Sequence, residues 1–419
     1  MRHTHSLVIV TLLAGCFSCC TDSPIIDPAP LTLPAPTPEQ RDAFARSNNA
    51  FAIDLFGKLR SEKGNLAFSP ASISMALAMT YGGARNETAA EMARVMHFND
   101  SIHEGASRVL GEWNDPERES YELHVANRLF GEQSYPFEES FLTLTRDLYA
   151  APLESMDFKN APDKNRGHIN AWIAERTRSR IRNILPPESI KSDTRLVLTN
   201  AVYFLGRWTS EFSANNTHPR PFHLHEGAAV KVPTMSQEDR FGYAEDDTVQ
   251  VLEMHYRGGD LAMTVVLPKA KNGLSDLEQR LSIENIDTWI SSLGNETVWV
   301  MLPKFEIDPT NPIALSKRLE ALGMPLAFDR FRADFTGMAN PPDPKDRLCI
   351  AEVFHKTFVK VDEKGTEAAA ATAVSMETLE DAIADPPKTF HADHPFLFFI
   401  RDLRSHSILF MGRVADPRP

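Results

Sequence analysis

Apolar positions first fall into a regular rhythm just after a proline-rich start. Thr37-Pro38-Glu39-Gln40 places a capping hydroxyl, a proline at the first helical position and a glutamine three residues on, a reciprocal cap that starts a helix. Phe44, Asn48, Phe51, Ala52, Leu55, Phe56 and Leu59 follow at helical spacing, which predicts about six turns. Ser69-Pro70 through Met79, closed by Gly82-Gly83, predicts a second helix, and Asn86–Met96 a third. Ile169, Trp172, Ile173 and Ile181 mark a fourth. The pattern then changes. Leu196–Leu205 is a nearly continuous apolar run, the signature of a strand buried on both faces. Val249–Tyr256 and Leu261–Leu267, separated by Gly258-Gly259, predict a hairpin. Thr297–Ile307 predicts another strand, and Leu315, Leu319 and Leu322 a short helix ended by Gly323. Ile350–Val361, Phe396–Ile400 and Ile408–Val414 complete the strands. Helices dominate early and strands late, without βαβ alternation or internal repeat, so the fold class is α+β. Nothing after Pro38 divides the chain further; one large domain is expected.

The first residues read differently. Met1-Arg2-His3 is a short basic start, and Leu7–Ala14 is an apolar run too short to span a bilayer, which takes about 20 residues. It fits the apolar region of a secretory signal. Leu13-Ala14-Gly15-Cys16 resembles a bacterial lipobox, cut before the cysteine whose thiol is then acylated; ordinary signal cleavage beside an incidental cysteine is the alternative. This gives a signal peptide over 1–15 and a lipidated, proline-rich tether over 16–40. Pro24, Pro28, Pro30, Pro34, Pro36 and Pro38 make the tether extended and semi-rigid. Phe17 and Ser18 follow Cys16, with no aspartate, which in a Gram-negative cell allows sorting to the outer membrane. The expected location is the bacterial envelope, outside the cytoplasm.

Charge and chemistry narrow the function mostly by exclusion. Lys+Arg 44 against Asp+Glu 57 gives a net charge of −13, which argues against a nucleic-acid partner, since that needs a summed positive field. No G-x-S-x-G, S-x-x-K or H-E-x-x-H motif occurs. Cys16 and Cys19 spell C-x-x-C outside any strand–helix context, and Cys349 stands alone. His223-Leu224-His225 puts two imidazoles on one face of a strand, as either a surface feature or half a cation site with no third ligand to name. No enzyme activity and no cofactor are expected.

The segment Val361–Met376 is legible in two ways. Its alanines favour helix by propensity. Yet every second residue, Thr366, Ala368, Ala370, Thr372, Val374 and Met376, is small or apolar, as on one face of a strand. Small side chains would let such a strand slide between others without overpacking. A segment readable both ways suggests a two-state element.

Glu363-Lys364-Gly365-Thr366-Glu367-Ala368-Ala369-Ala370-Ala371-Thr372 resembles the hinge of the serpin family, and further family signatures follow in order. They are Asn65–Ile73 (NLAFSPASI), Leu198–Trp208 (LTNAVYFLGRW), His394–Ile400 (HPFLFFI) and Phe410–Val414 (FMGRV). The likeness runs from about Asp42 to Pro417, giving a domain over 41–417 with hinge and reactive-centre loop at 363–390. It implies three β-sheets, about nine helices and an exposed loop that inserts into the central sheet as an added strand. It implies roles residue by residue. Gly365, Thr366 and Ala368–Ala371 match the inhibitory hinge. Ser69, Ser72, Asn200 and His355 match the polar shutter beneath the sheet's opening. Lys304 and Glu363 match an ion pair at the top of the sheet, the breach, beside Trp208.

The function implied is suicide-substrate inhibition of a serine protease. The target acylates itself on the loop and is trapped as the loop inserts. Counting the family's hinge-to-bond spacing from Glu363 lands on Leu379-Glu380, while counting back from Phe390 lands near Asp381–Ile383. Leucine before the bond points to chymotrypsin-, elastase- or subtilisin-like targets. A papain-like cysteine protease, or a glutamate-specific protease if Glu380 precedes the cut, are alternatives. A non-inhibitory binding or chaperone role is the rival function. The expected partners are the target protease and, through the lipid, a membrane; a monomer is expected.

Overall fold

The reciprocal cap at Thr37 forms. Gln40 N–H donates to Thr37 Oγ1 at 3.3 Å and Thr37 N–H to Gln40 Oε1 at 3.1 Å, and the helix that follows buries Phe44, Phe51, Leu55 and Phe56. The computed structural model describes residues 37–115, 117–225, 227–366 and 386–418. Cys16, the hinge residues Glu367, Ala368, Ala369, Ala370, Ala371 and Thr372, and the Leu379-Glu380 bond lie outside the described residues.

Nine α-helices occur among them. The first six are α1 (Pro38–Leu59), α2 (Pro70–Tyr81), α3 (Asn86–Met96), α4 (Ile102–Trp113), α5 (Glu139–Tyr149) and α6 (Pro162–Arg176). Then come α7 (Leu274–Gln279), α8 (Ile283–Ser291) and α9 (Ser316–Leu322). The strands begin with β1 (Leu66–Phe68), β2 (Tyr121–Glu132), β3 (Leu153–Met156), β4 (Leu196–Arg207), β5 (His218–Phe222) and β6 (Val230–Glu245). Next are β7 (Val249–His255), β8 (Leu261–Pro268), β9 (Gly294–Pro303), β10 (Phe305–Ile307), β11 (Ile313–Ala314) and β12 (Phe354–His355). Last come β13 (Val359–Asp362), β14 (Gly365–Thr366), β15 (Lys388–His391), β16 (Phe396–Asp402) and β17 (Ile408–Val414).

They form three sheets, and the α+β class expected from the sequence holds. A nine-stranded sheet runs β1-β17-β16-β8-β7-β6-β9-β15, with β5 also on β6. A six-stranded sheet runs β10-β13-β14-β4-β2-β3, and β11 and β12 make a two-stranded one. The six-stranded sheet is covered on both faces. Val202 and Phe204 of β4 join the main core with α2, while Ala201 joins a second cluster with Ile169, Trp172 and Ile173 of α6.

Three boundaries differ from the sequence expectation. Ile181 is not part of the helix, because α6 ends at Arg176 and Arg178 and Ser179 take positive φ; Ile181 is buried instead from the following loop. The apolar run Thr297–Ile307 is two strands in different sheets, β9 and β10, parted at Lys304. Ile350–Val361 is likewise not one strand: Phe354–His355 pairs with β11, and only Val359–Asp362 enters the six-stranded sheet.

Candidate functional site at the opening of the six-stranded sheet

Gly365 and Thr366 form a two-residue strand wedged between β13 and β4, antiparallel to both. Val361 pairs with Thr366 and Asp362 with Gly365 on one side; Arg207 pairs with Gly365 and Gly206 with Thr366 on the other. Glycine is required at 365. Its φ is +149°, and a Cβ there would lie 2.0 Å from the Gly206 carbonyl oxygen and 2.8 Å from Arg207 Cα, closer than atoms can approach.

A shell of side chains fixes this entry. Trp208 stacks on Tyr256, with ring centroids 4.6 Å apart and planes 16° apart. Its indole N–H donates to the Asp362 carbonyl at 3.0 Å, and its backbone N–H to the Lys364 carbonyl at 2.8 Å. Tyr256 and Thr366 hydroxyls share a 2.6 Å hydrogen bond. Lys304 Nζ donates to Glu363 Oε2 at 2.8 Å, and Thr217 Oγ1 donates to Glu363 Oε1 at 2.8 Å. Burial works against ionising Glu363, but Lys304 and Thr217 hold its carboxyl below the ordinary value. The structure therefore brings Lys304, Trp208, Glu363, Gly365 and Thr366 together.

Below the entry, a cavity of about 580 Å³ separates β4 from the chain leading to β13. Its walls include Leu196, Leu198 and Asn200 on one side and Val353 and His355 on the other. The strand expected to be buried on both faces is so only in its upper half; Leu196, Val197 and Leu198 are half-buried because they edge this cavity.

Ser69, Ser72, Asn200 and His355 meet at the cavity's head in two linked chains. Ser72 Oγ donates to Asn200 Oδ1 at 2.5 Å, Asn200 Nδ2 to Asn127 Oδ1 at 2.6 Å, and Asn127 Nδ2 to the Tyr149 carbonyl at 2.9 Å. Ser69 caps α2, accepting from Ser72 N–H at 3.1 Å while donating to the Leu409 carbonyl at 2.6 Å. Ser69 N–H donates to His355 Nε2 at 3.0 Å, and Thr357 Oγ1 lies 2.8 Å from the same nitrogen. A ring nitrogen that accepts a backbone N–H carries no proton, so His355 is neutral here. Burial agrees, pushing its pKa down to about 4.

Sequence reasoning missed Asn127, Thr217, Tyr256 and Thr357. Asn127 carried a usable signal, as an amide beside the small apolar Val125-Ala126 of β2 and directly opposite Asn200. The others are recognisable only by their partners. His223 and His225 do not join this site: His223 Nε2 lies 3.7 Å from Asp393, and His225 is exposed. Among the described residues no group of three or more His, Cys, Asp or Glu could hold a metal ion.

Residues 46–417 match the family model described as Serpin (serine protease inhibitor). Serpin B6 of Macaca fascicularis is 40% identical over 386 residues, covering 90% of this chain and 100% of the relative. Leukocyte elastase inhibitor of Bos taurus is 40% identical over 387 residues, with the same 90% and 100% coverage. Among solved structures, cleaved Serpin 42Da is similar at a TM-score of 0.80 and 30% identity, covering 91% of this chain and 100% of that one. Uncleaved ovalbumin is similar at 0.78 and 28%, covering 90% and 100%.

Proposed function

This chain belongs to the serpin family of serine protease inhibitors, and on that premise we propose that it traps its target as an acyl-enzyme by drawing its loop into the six-stranded sheet. The observation that carries the reading is the hinge entry: Gly365 and Thr366 pair antiparallel with both β13 and β4. If that register continues without a bulge, each further residue finds a place. Along β4, Thr372 comes opposite Asn200, Val374 opposite Leu198 and Met376 opposite Leu196. The even-numbered set shares the face of the buried Thr366. Val374 and Met376 thereby enter the cavity walled by Leu196 and Leu198, each burial worth about 1.5–3 kcal/mol.

Trapping follows from untethering. The protease's serine oxygen attacks the bait carbonyl, an ester forms, and the new amine leaves with the rest of the loop. The hinge side, no longer held at both ends, zips downward and pairs its backbone groups at about 0.5–1.5 kcal/mol each. The acylated protease is dragged along, and displacement of about 1 Å at its catalytic groups costs roughly 100-fold in deacylation. Leu379 before the cut supports chymotrypsin-, elastase- or subtilisin-like targets, and a relative named leukocyte elastase inhibitor supports the same class.

Incubating the chain with chymotrypsin, elastase and subtilisin is expected to give a complex that survives SDS, and mass spectrometry of the released peptide fixes the bait bond. Complete loop cleavage without a complex overturns the inhibitory reading. The proposal extends to an acylated Cys16 that tethers the domain to a bacterial envelope; labelled palmitate should be incorporated by the wild type and not by Cys16→Ala.

A further inference from the structure

Two large apolar side chains stand exposed among the described residues, Phe331 at 89% and Trp299 at 42%. Phe331 lies in a turn, whereas Trp299 sits within β9, flanked by β6 and β15. The register sets Glu238 and Thr389 on either side of it, and the Thr297–Arg240 pair one step along on the same face. Its indole N–H donates to Ser236 Oγ at 2.9 Å. That bond satisfies the polar edge and fixes the ring, so a partner would not have to order it. A rigid tryptophan face with a polar surround is the composition of an interface hot spot.

We infer that this face docks the protease that attacks the loop, an inference that rests on the inhibitory reading above. The occupant follows from where the chain returns. Residues 367–385 rejoin the fold at Pro386 and Pro387, which line one hollow with Arg240, Asn295 and Thr297. From Leu379 to Pro386 the extended chain spans at most ~25 Å. A globular protease domain of ~220 residues has a radius of gyration of ~17 Å. A body of that size, holding the bait bond within that tether length, reaches the Trp299 face. A bond cut at 381–383 brings it closer still. Loop sequence then selects the protease's specificity pocket, and the tryptophan adds contact that a free peptide of the same sequence lacks.

The test measures association rates of the full chain with chymotrypsin, pancreatic elastase and subtilisin, and dissociation constants with the same enzymes carrying alanine for their nucleophilic serine. The inactive enzymes bind without cutting, so this arm reads docking even if the loop never inserts. Trp299→Ala is expected to slow association and weaken inactive-enzyme binding by about tenfold for at least one of the three. Stoichiometry and melting temperature should stay unchanged, and Trp299→Phe should retain most of the rate. Equal rates and affinities for wild type and Trp299→Ala with all three overturn the inference, as does failure of all three inactive enzymes to bind. A concentration-dependent dimer that Trp299→Ala dissolves, with protease kinetics unchanged, assigns the face to a second copy and overturns it too. Absence of an SDS-stable complex, with the inactive-enzyme affinities still split by Trp299→Ala, defeats the trapping mechanism and leaves the docking surface standing.

Discussion

β8, β16 and β17 of the nine-stranded sheet bury every residue, whereas β4 of the six-stranded sheet leaves Leu196, Val197 and Leu198 half-buried along a cavity. The polar groups in the two places differ as well. In the nine-stranded sheet Arg401 is ion-paired with Glu253 and donates to Thr264 Oγ1 at 3.1 Å, all three buried. At the head of the cavity the hydrogen-bonded cluster is neutral, made of Ser72, Asn200, Asn127, Ser69 and His355, while exposed charged residues such as Glu188 and Lys191 line it elsewhere. A buried ion pair costs about 3–5 kcal/mol to break from one side, while a neutral hydrogen bond contributes about 0.5–1.5 kcal/mol net. The nine-stranded sheet is thus pinned there by a bond costly to break, whereas the head of the cavity is held by bonds cheap enough to rearrange when a strand arrives. The six-stranded sheet's ion pairs, Lys304–Glu363 and Arg128–Glu154, lie at the entry and between β2 and β3.

The sharpest way to break the contrast is at the entry. Gly365→Ala puts a Cβ into the Gly206 carbonyl; we expect the two-residue entry strand to be displaced, so that the melting temperature of the intact protein falls and the SDS-stable complex disappears on gels, with the loop cut as ordinary substrate. Glu253→Ala should lower stability without touching inhibition, by about 3–5 kcal/mol in denaturant titrations because Arg401 is left buried and unpaired, with inhibitory stoichiometry unaltered.

Protonation separates the regions by pH. Unfolded histidine takes its proton near pH 6.5, but His355 in the fold does so only near 4. Acid therefore favours the unfolded chain across that window, and stability is lost as pH falls from 6.5 to 4, by about 3 kcal/mol from this group. For Glu253, burial opposes ionisation but His255 and Arg401 outweigh it, holding its pKa down to about 2. Its contribution survives to lower pH and is lost as pH falls from 4.5 towards 2. Melting curves of His355→Gln should be flatter than wild type between pH 6.5 and 4, yet retain the lower-pH loss. A wild-type slope preserved in His355→Gln contradicts the assignment. The smallest effect is expected of Asn200→Ala, about 1–3 kcal/mol for the unpaired Ser72 and Asn127 groups; here the lower melting point should come with more substrate-like turnover, read as a raised stoichiometry.

Local signals made part of this legible. The Thr37 cap, the Ser69-Pro70 start of α2 and the Gly323 stop of α9 depend on neighbours in sequence, and each forms where the residues say. Where a distant partner decides, the reading failed. Lys304 turns to Glu363, and the apolar run splits there into β9 and β10. Glu352 accepts from Ser316 N–H and Oγ at the start of α9, drawing the chain before His355 away from the sheet that β13 joins. Helices α4, α5, α7 and α8 went unnamed; α7 has six residues, too few for periodicity to register. Of the site, the residues in family motifs were found, while Thr217 and Thr357 act through single hydrogen bonds, and Tyr256 through one hydrogen bond and its stacking on Trp208, that no spacing encodes.

The central claim is that the six-stranded sheet is unfinished and that a cut loop completes it. Thermal melting of the chain before and after a single nick in residues 373–385 by a catalytic amount of protease tests this directly. The account predicts a melting temperature well above that of the intact form, with both halves still associated; identical melting of nicked and intact protein would contradict it.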